Sequence, residues 1–238
     1  VVPLGPPAAR RGPLERLAGS CLGRQYGLAI TVLVMLGFLV GHLSGNLLVF
    51  AGADALNAYA QWLKDHPGLL WTARIVLLLA LVAHMGAAMR LARENAAARP
   101  RAYAAKSWRE ASWASRHMLM TGLLVFLYVV YHLLHFTFHA IDTGGMGLKD
   151  AAGRVDVYSM VVEGFRVPAV ALTYIAAQVV LGVHLWHAVP SVFQTLGLDH
   201  KALRPLANKG GPALAVALAA GYIAIPVAIW AGCIGRAP

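Results

Sequence analysis

The sequence predicts an all-α integral membrane protein, a single bundle of five transmembrane helices formed by residues 1–238. Of its 238 residues, 59% are hydrophobic and only 13% are charged, and the mean hydropathy is +0.63. A soluble domain carries charge on about a quarter of its residues, so this composition cannot cover a water-exposed globule. It excludes a soluble enzyme, a disordered protein and a disulfide-rich secreted module.

Five stretches are long and apolar enough to cross a membrane as helices, which takes about 20 residues each. None of them contains Asp or Glu. The one arginine in their interiors, Arg74, lies near an end of span II, and Arg90 lies at its other end. We call them spans I to V, at residues 26–50, 69–91, 117–139, 167–189 and 212–232.

The charges of the loops predict the orientation of the bundle, because basic loops stay in the cytoplasm. The segment before span I and the II–III and IV–V loops are basic, whereas the I–II and III–IV loops are acidic. We therefore expect a cytoplasmic N-terminus in a cytoplasmic (inner) membrane, and an outer C-terminus. The net charge of +10 is then mostly a topology signal, and no nucleic-acid partner is expected. The long III–IV loop has room for a short helix at residues 156–165.

Four of the ten histidines sort by depth into two layers. At about 1.5 Å per residue, His42 of span I and His132 of span III both lie roughly 22 Å from the cytoplasmic side. His84 of span II and His184 of span IV lie nearer that side, about 10 Å deep or less. An imidazole at such depth needs a hydrogen-bond partner, a metal or a cofactor. Two pairs drawn from different helices predict two haems b, each iron bound by two histidines.

Small residues beside these histidines favour the haem interpretation, because a porphyrin needs room between helices. Gly41 precedes His42, and Gly41 and Gly45 belong to a glycine stripe on span I that permits close approach. Helix packing is the ordinary use of such glycines, and a single histidine in a span is usually a packing residue. Spans I–II and III–IV carry similar histidine patterns, although the two halves do not align convincingly.

The other histidines have weaker assignments. His187 follows His184 by three residues and competes with it for the inner position. His135 and His139 share a face with His132 and suit either haem propionates or the outer interface. His66 and His200 lie in loops, where solvation is the expectation, and His117 lies at the cytoplasmic end of span III.

Short stretches distributed over the first four spans carry a family resemblance. They are His42-Leu-Ser-Gly-Asn46, Ala73-Arg-Ile-Val76, Arg90-Leu-Ala-Arg-Glu-Asn95, Tyr131-His-Leu-Leu134, Val157-Tyr-Ser-Met-Val-Val-Glu-Gly-Phe165, Val183-His-Leu-Trp-His187 and Ser191-Val-Phe-Gln-Thr-Leu-Gly197. In this order, between residues 24 and 200, they resemble the cytochrome b subunit of succinate dehydrogenase. The resemblance is to the five-helix, di-haem b558 class, which includes fumarate reductases.

The resemblance implies a division of labour within respiratory complex II. His42 and His132 would bind the iron of one haem b, and His84 and His184 that of the other. His187 would be left for a propionate or a supporting role. The chain would anchor a flavoprotein subunit, which oxidises succinate in the tricarboxylic acid cycle, and an iron–sulfur subunit. Electrons would pass through the haems to a quinone, commonly menaquinone, and the dicarboxylate chemistry would lie outside this chain.

The side of the membrane on which the quinone binds stays open. A quinone site needs a hydrogen-bond donor and a proton acceptor near water. Candidates are His139, Asp142 and Glu163 near the outer haem, and Ser20, Arg24, Trp113 and His117 near the inner one.

Several alternatives stay open as well. Some fumarate reductases of this class carry Glu two residues before the span IV ligand, where this chain has Gly182, which favours succinate oxidation over fumarate reduction. The cytochrome b subunit of a hydrogenase or formate dehydrogenase, and a haem-free transporter with packing histidines, are the other candidates. Cys21 and Cys233 are too few and too far apart for a cysteine-bound zinc or iron–sulfur cluster.

Overall fold

The computed structural model describes residue 12 and residues 20–98, 112–198 and 200–235. It is 80% helical, and the described ranges contain no strand, only an isolated β-bridge between Lys149 and Val155. Five of the helices are long and apolar enough to cross a membrane. The predictions of an all-α fold and of five helices able to span a membrane are therefore confirmed.

The long helices coincide with the five predicted spans, and three short helices lie between them. In chain order they are α1 (Cys21–Asn46), α2 (Ala53–Asp65), α3 (Pro67–Ala97), α4 (Trp113–Arg116), α5 (Met118–Phe136), α6 (Val157–Arg166), α7 (Pro168–Thr195) and α8 (Gly211–Trp230). A 3₁₀ turn at Leu47–Ala51 continues α1, and a π turn at Leu206–Gly210 precedes α8.

Local sequence explains where the helices begin. Pro67 and Pro168 open α3 and α7, where a missing backbone N–H costs nothing because the first turn has no acceptor for it. The Ser20 hydroxyl accepts a hydrogen bond from the Gly23 amide at 2.9 Å and caps α1. The Asp156 carboxylate accepts one from the Ser159 amide at 3.0 Å and caps α6, which confirms the short helix expected in the III–IV loop.

The ends of the helices differ from the predicted span boundaries by one to six residues, and two of these differences have a local explanation. The helix of span III ends at Phe136, because the Phe138 amide bonds back to the Leu133 carbonyl at 2.8 Å and His139 turns to a φ of 54°. The helix of span II continues to Ala97, past the apolar stretch, where Arg90 and Glu94 form an i,i+4 ion pair at 3.1 Å.

The helices pack unevenly. α8 lies along α7, α3 lies along α1, and α5 packs against α7. α3 and α5, by contrast, make little contact with each other and are the least buried of the five membrane-spanning helices. These two helices therefore leave most of their surface uncovered by the rest of the protein.

A feature that the sequence did not predict is the helix α2, in the segment that we expected to be the I–II loop. It buries Leu56 and Asn57, while Trp62 stays 47% exposed. Together with the loop 137–156 and α6 it forms a layer over one end of the bundle, which we call the cap. One face of α2 is apolar and packs against the rest of the protein, which explains why so short a segment forms a helix.

The cap is held together by Asn57, which is only 1% exposed. Its side-chain carbonyl accepts the Tyr158 amide at 3.0 Å, and its amide group donates to Asp156 at 3.0 Å and Asp150 at 3.3 Å. Arg154 bridges Asp150 and Asp54, at 2.7 Å each. Helix α2 is therefore fixed to the III–IV loop by a network of polar contacts across about a hundred residues of sequence.

Candidate functional site

The structure brings together two pairs of histidines, each pair from two different helices. His42 of α1 faces His132 of α5, with the ring centroids 5.9 Å apart and the planes at 82°. His84 of α3 faces His184 of α7, with centroids 6.5 Å apart and planes at 72°. These are the two pairs into which depth had sorted the four residues, and all four side chains are half-buried.

The separations of the rings suit two ligands on opposite sides of one metal ion. A metal–imidazole bond is about 2.0 Å long, so two rings bound through Nε2 in line with one ion place their centroids about 6 Å apart. Both pairs lie near this distance. Among the described residues, no hydrogen bond engages Nε2 of any of the four rings.

Threonine hydroxyls orient the two rings of the His84–His184 pair. Nδ1 of His84 lies 3.3 Å from the hydroxyl oxygen of Thr31 on α1. Nδ1 of His184 lies 3.1 Å from that of Thr121 on α5, a residue that is 3% exposed. With Nδ1 engaged in this way, Nε2 is the nitrogen left for a ligand.

The His42–His132 pair is surrounded by aromatic side chains instead of threonine hydroxyls. Nδ1 of His132 lies 3.4 Å from the hydroxyl of Tyr174, which also lies 3.0 Å from Nδ1 of the fully buried His135. Phe38 stacks on the His42 ring at a centroid distance of 5.1 Å. An aromatic cluster therefore surrounds this pair on the side of the cap.

The structure places His187, His135 and His139 outside the two histidine pairs. Nε2 of His187 lies 3.1 Å from the hydroxyl of Ser191 on its own helix, while His184 faces His84. His135 is bonded through both nitrogens, to Tyr174 and at 3.0 Å to Thr143, so it ties α5 to the cap. His139 is exposed.

The glycines near the histidines differ in what a Cβ at each position would contact. A Cβ on Gly45 would come within 2.6 Å of the Tyr59 ring, so Gly45 makes room for α2. Gly182 lies against Ala219 of α8, and Gly41 faces open space. Gly122, which the sequence analysis did not single out, would place a Cβ 3.2 Å from the His184 ring. No signal in the sequence marked it, because this contact depends on the rotation of α5.

The quinone candidates do not converge on one cavity. Near the cap, Asp142 is exposed and Glu163 forms an ion pair with Arg166 at 3.0 Å. At the opposite end, Nδ1 of His117 bonds the Trp113 carbonyl at 2.7 Å, and Arg24 bonds Glu94 at 2.8 Å. Ser20 caps α1.

The comparisons with known proteins found no relative of this chain. No family model matches the chain, and neither a curated protein nor a solved structure matches it. The fold and the site thus define the class: a multi-pass helical membrane protein with two histidine pairs between its helices.

Proposed function

We propose that this chain is the membrane-anchor cytochrome b subunit of a succinate:quinone oxidoreductase, with two haems b. The observation that supports the proposal is the arrangement of four half-buried histidines in two facing pairs, 5.9 and 6.5 Å between ring centroids. Two neutral imidazoles would be able to bind one haem iron. When bound, the haems supply one-electron transfer through the membrane.

The chain's own residues would hold the two cofactors by their Nε2 atoms. His42 and His132 would bind one iron, and His84 and His184 would bind the other. The weak contact between α3 and α5 and the open space beside Gly41 fit the room that a flat macrocycle needs. Two imidazoles alone do not complete the coordination of a transition metal. The remaining ligands would come from the macrocycle, which needs this space between the helices.

The partners follow from the proposed orientation. With the basic loops in the cytoplasm, the cap lies on the outer face and the His84–His184 pair lies nearer the cytoplasm. The iron–sulfur subunit docks on that cytoplasmic side and the flavoprotein binds to it. Electrons from succinate then reach menaquinone in the membrane. Gly182 in place of an acidic residue supports succinate oxidation as the working direction.

A count of haem in the purified full-length chain tests the proposal. We expect two haems b per chain by pyridine haemochromogen, and a b-type band in the reduced-minus-oxidised spectrum. Folded protein without haem would overturn the proposal and favour a transporter. One haem per chain would contradict one of the two pairs.

The catalytic partner needs a separate test. In membranes, succinate should reduce the haems, and a flavoprotein and an iron–sulfur protein should co-purify with the chain. Reduction by hydrogen or formate instead, with a nickel or molybdenum subunit, would identify the cytochrome b of a hydrogenase or formate dehydrogenase.

A further inference from the structure

The hydroxyl of Thr31 can only accept a hydrogen bond from His84. A threonine hydroxyl has one proton. That of Thr31 is donated along α1 to the Leu28 carbonyl, at 2.7 Å. The contact of 3.3 Å with Nδ1 of His84 is therefore made by a lone pair of the hydroxyl oxygen, and the proton between them belongs to Nδ1.

Thr121 repeats this arrangement on α5. Its hydroxyl proton is directed to carbonyls of the preceding turn, those of His117 at 3.0 Å and Met118 at 3.2 Å. Its lone pair faces Nδ1 of His184 at 3.1 Å. The adjacent Gly122 has no side chain to hinder the approach of the imidazole.

The two threonines occupy matching places in the sequence. Thr31 lies 11 residues before His42 on α1, and Thr121 lies 11 residues before His132 on α5. Eleven residues make about three helical turns, so each threonine shares a face with a histidine of the other pair, about 16 Å away along the helix. Helices α1 and α5 thus each present one histidine to one pair and one hydroxyl to the other.

From these contacts we infer that Thr31 and Thr121 are positioning residues that fix the Nδ1–H tautomer of His84 and His184 and lower the reduction potential of their haem. The inference rests on the proposed function. An imidazole that donates from Nδ1 becomes a more basic ligand through Nε2. A more basic ligand favours ferric over ferrous iron, so the potential falls.

Redox titration of the full-length protein tests the inference. Thr31→Val and Thr121→Val remove the hydroxyl at nearly constant volume, and Thr31→Ser and Thr121→Ser retain it. We expect the valine variants to raise the midpoint potential of one haem only. The shift corresponds to a tenfold change or so in the ratio of oxidised to reduced haem, about 59 mV for one electron. Thr121→Val should act more strongly because its contact is shorter.

The serine variants separate chemistry from folding. They should keep both wild-type potentials, and if a valine variant loses one haem, the matching serine variant should retain it. Tyr174→Phe is the matched control, since it contacts His132 and should move only the potential of the other haem.

The outcomes also separate the two proposals. Two haems with unchanged potentials in the Thr31→Val, Thr121→Val double variant would overturn the role of the threonines and leave the proposed function intact. Loss of haem from valine and serine variants alike would overturn that role as well. Absence of haem from the wild-type protein would instead overturn the proposed function.

Discussion

The side chain of His135 is fully buried, and its Nδ1 lies 3.0 Å from the hydroxyl oxygen of Tyr174. Its other ring nitrogen reaches Thr143 in the cap at 3.0 Å. His135 is thus the residue through which the end of α5 is joined to both α7 and the loop above it.

Replacement of His135 by alanine should destabilise the protein without removing haem. The substitution deletes two hydrogen bonds and leaves a cavity, which together cost about 2–4 kcal/mol. Thermal unfolding in detergent measures the change, and a haem count in the same sample should stay at two. His139→Ala, at an exposed neighbouring position, is the control and should unfold like the wild type. Loss of a haem in His135→Ala alone would instead implicate His135 in binding.

Alanine at either histidine of one pair should remove one haem and leave the other. His84→Ala and His184→Ala should give the same residual spectrum, because in the proposed function both rings bind one iron. His187→Ala should retain both haems, since its ring bonds Ser191 on its own helix. Haem loss from His187→Ala, with two haems kept in His184→Ala, would show that the ligand on α7 is wrong.

Alanine at Gly122 should disturb the His84–His184 pair alone. The added Cβ would lie 3.2 Å from the His184 ring and push it away from Thr121. We expect weaker binding or a shifted absorption band of one haem, measured by titration of haem into the apoprotein. The matched control is Gly27→Ala on α1, where a Cβ meets nothing within 4 Å. Equal effects of the two substitutions would contradict the contact.

The cap should loosen at acid pH. Although burial raises the pKa of Asp150, hydrogen bonds from Arg154 and Asn57 outweigh it and hold the pKa below its ordinary value of 3.8. The pKa of Asp156 is lowered likewise, because hydrogen bonds from Ser159 and Asn57 outweigh its burial. Both carboxylates therefore stabilise the cap fully above their unfolded pKa, and this contribution disappears as pH falls through the lowered values.

Fluorescence of Trp62, which lies on α2, reports this transition. A single-tryptophan variant that keeps Trp62 should show a transition below about pH 4 in the wild-type cap. The transition should be weaker in Asp150→Asn, which no longer titrates there. An identical profile in the two proteins would assign the acid response to other groups.

The spans and the histidine layers could be predicted from the sequence because both depend on distance along a helix. Apolar length predicts a span, and the rise per residue predicts depth, which was enough to place His84 and His184 at one level. Depth does not give the rotation of a helix, however. The contacts of Thr31, Thr121 and Tyr174 with the rings depend on rotation, so the sequence did not indicate them.

The helix α2 was missed for a different reason. It is too short and too polar to be read as a span, and the search for apolar stretches passed over it. Its signal was the spacing of Leu56, Tyr59 and Leu63, at i, i+3 and i+7, which is typical of an amphipathic helix. Gly45 was likewise assigned to the cofactor on a pattern of glycines, and the structure places it against Tyr59 of this helix.

The division of the pairs among the helices has a consequence for biosynthesis. His42 and His132 lie on α1 and α5, so both histidines of this pair are present once α5 has been synthesised. His84 pairs with His184 on α7, which is synthesised later. Because chains are made and inserted from the N-terminus, the pair nearer the cap should assemble first, and the two proposed haems should be acquired in that order.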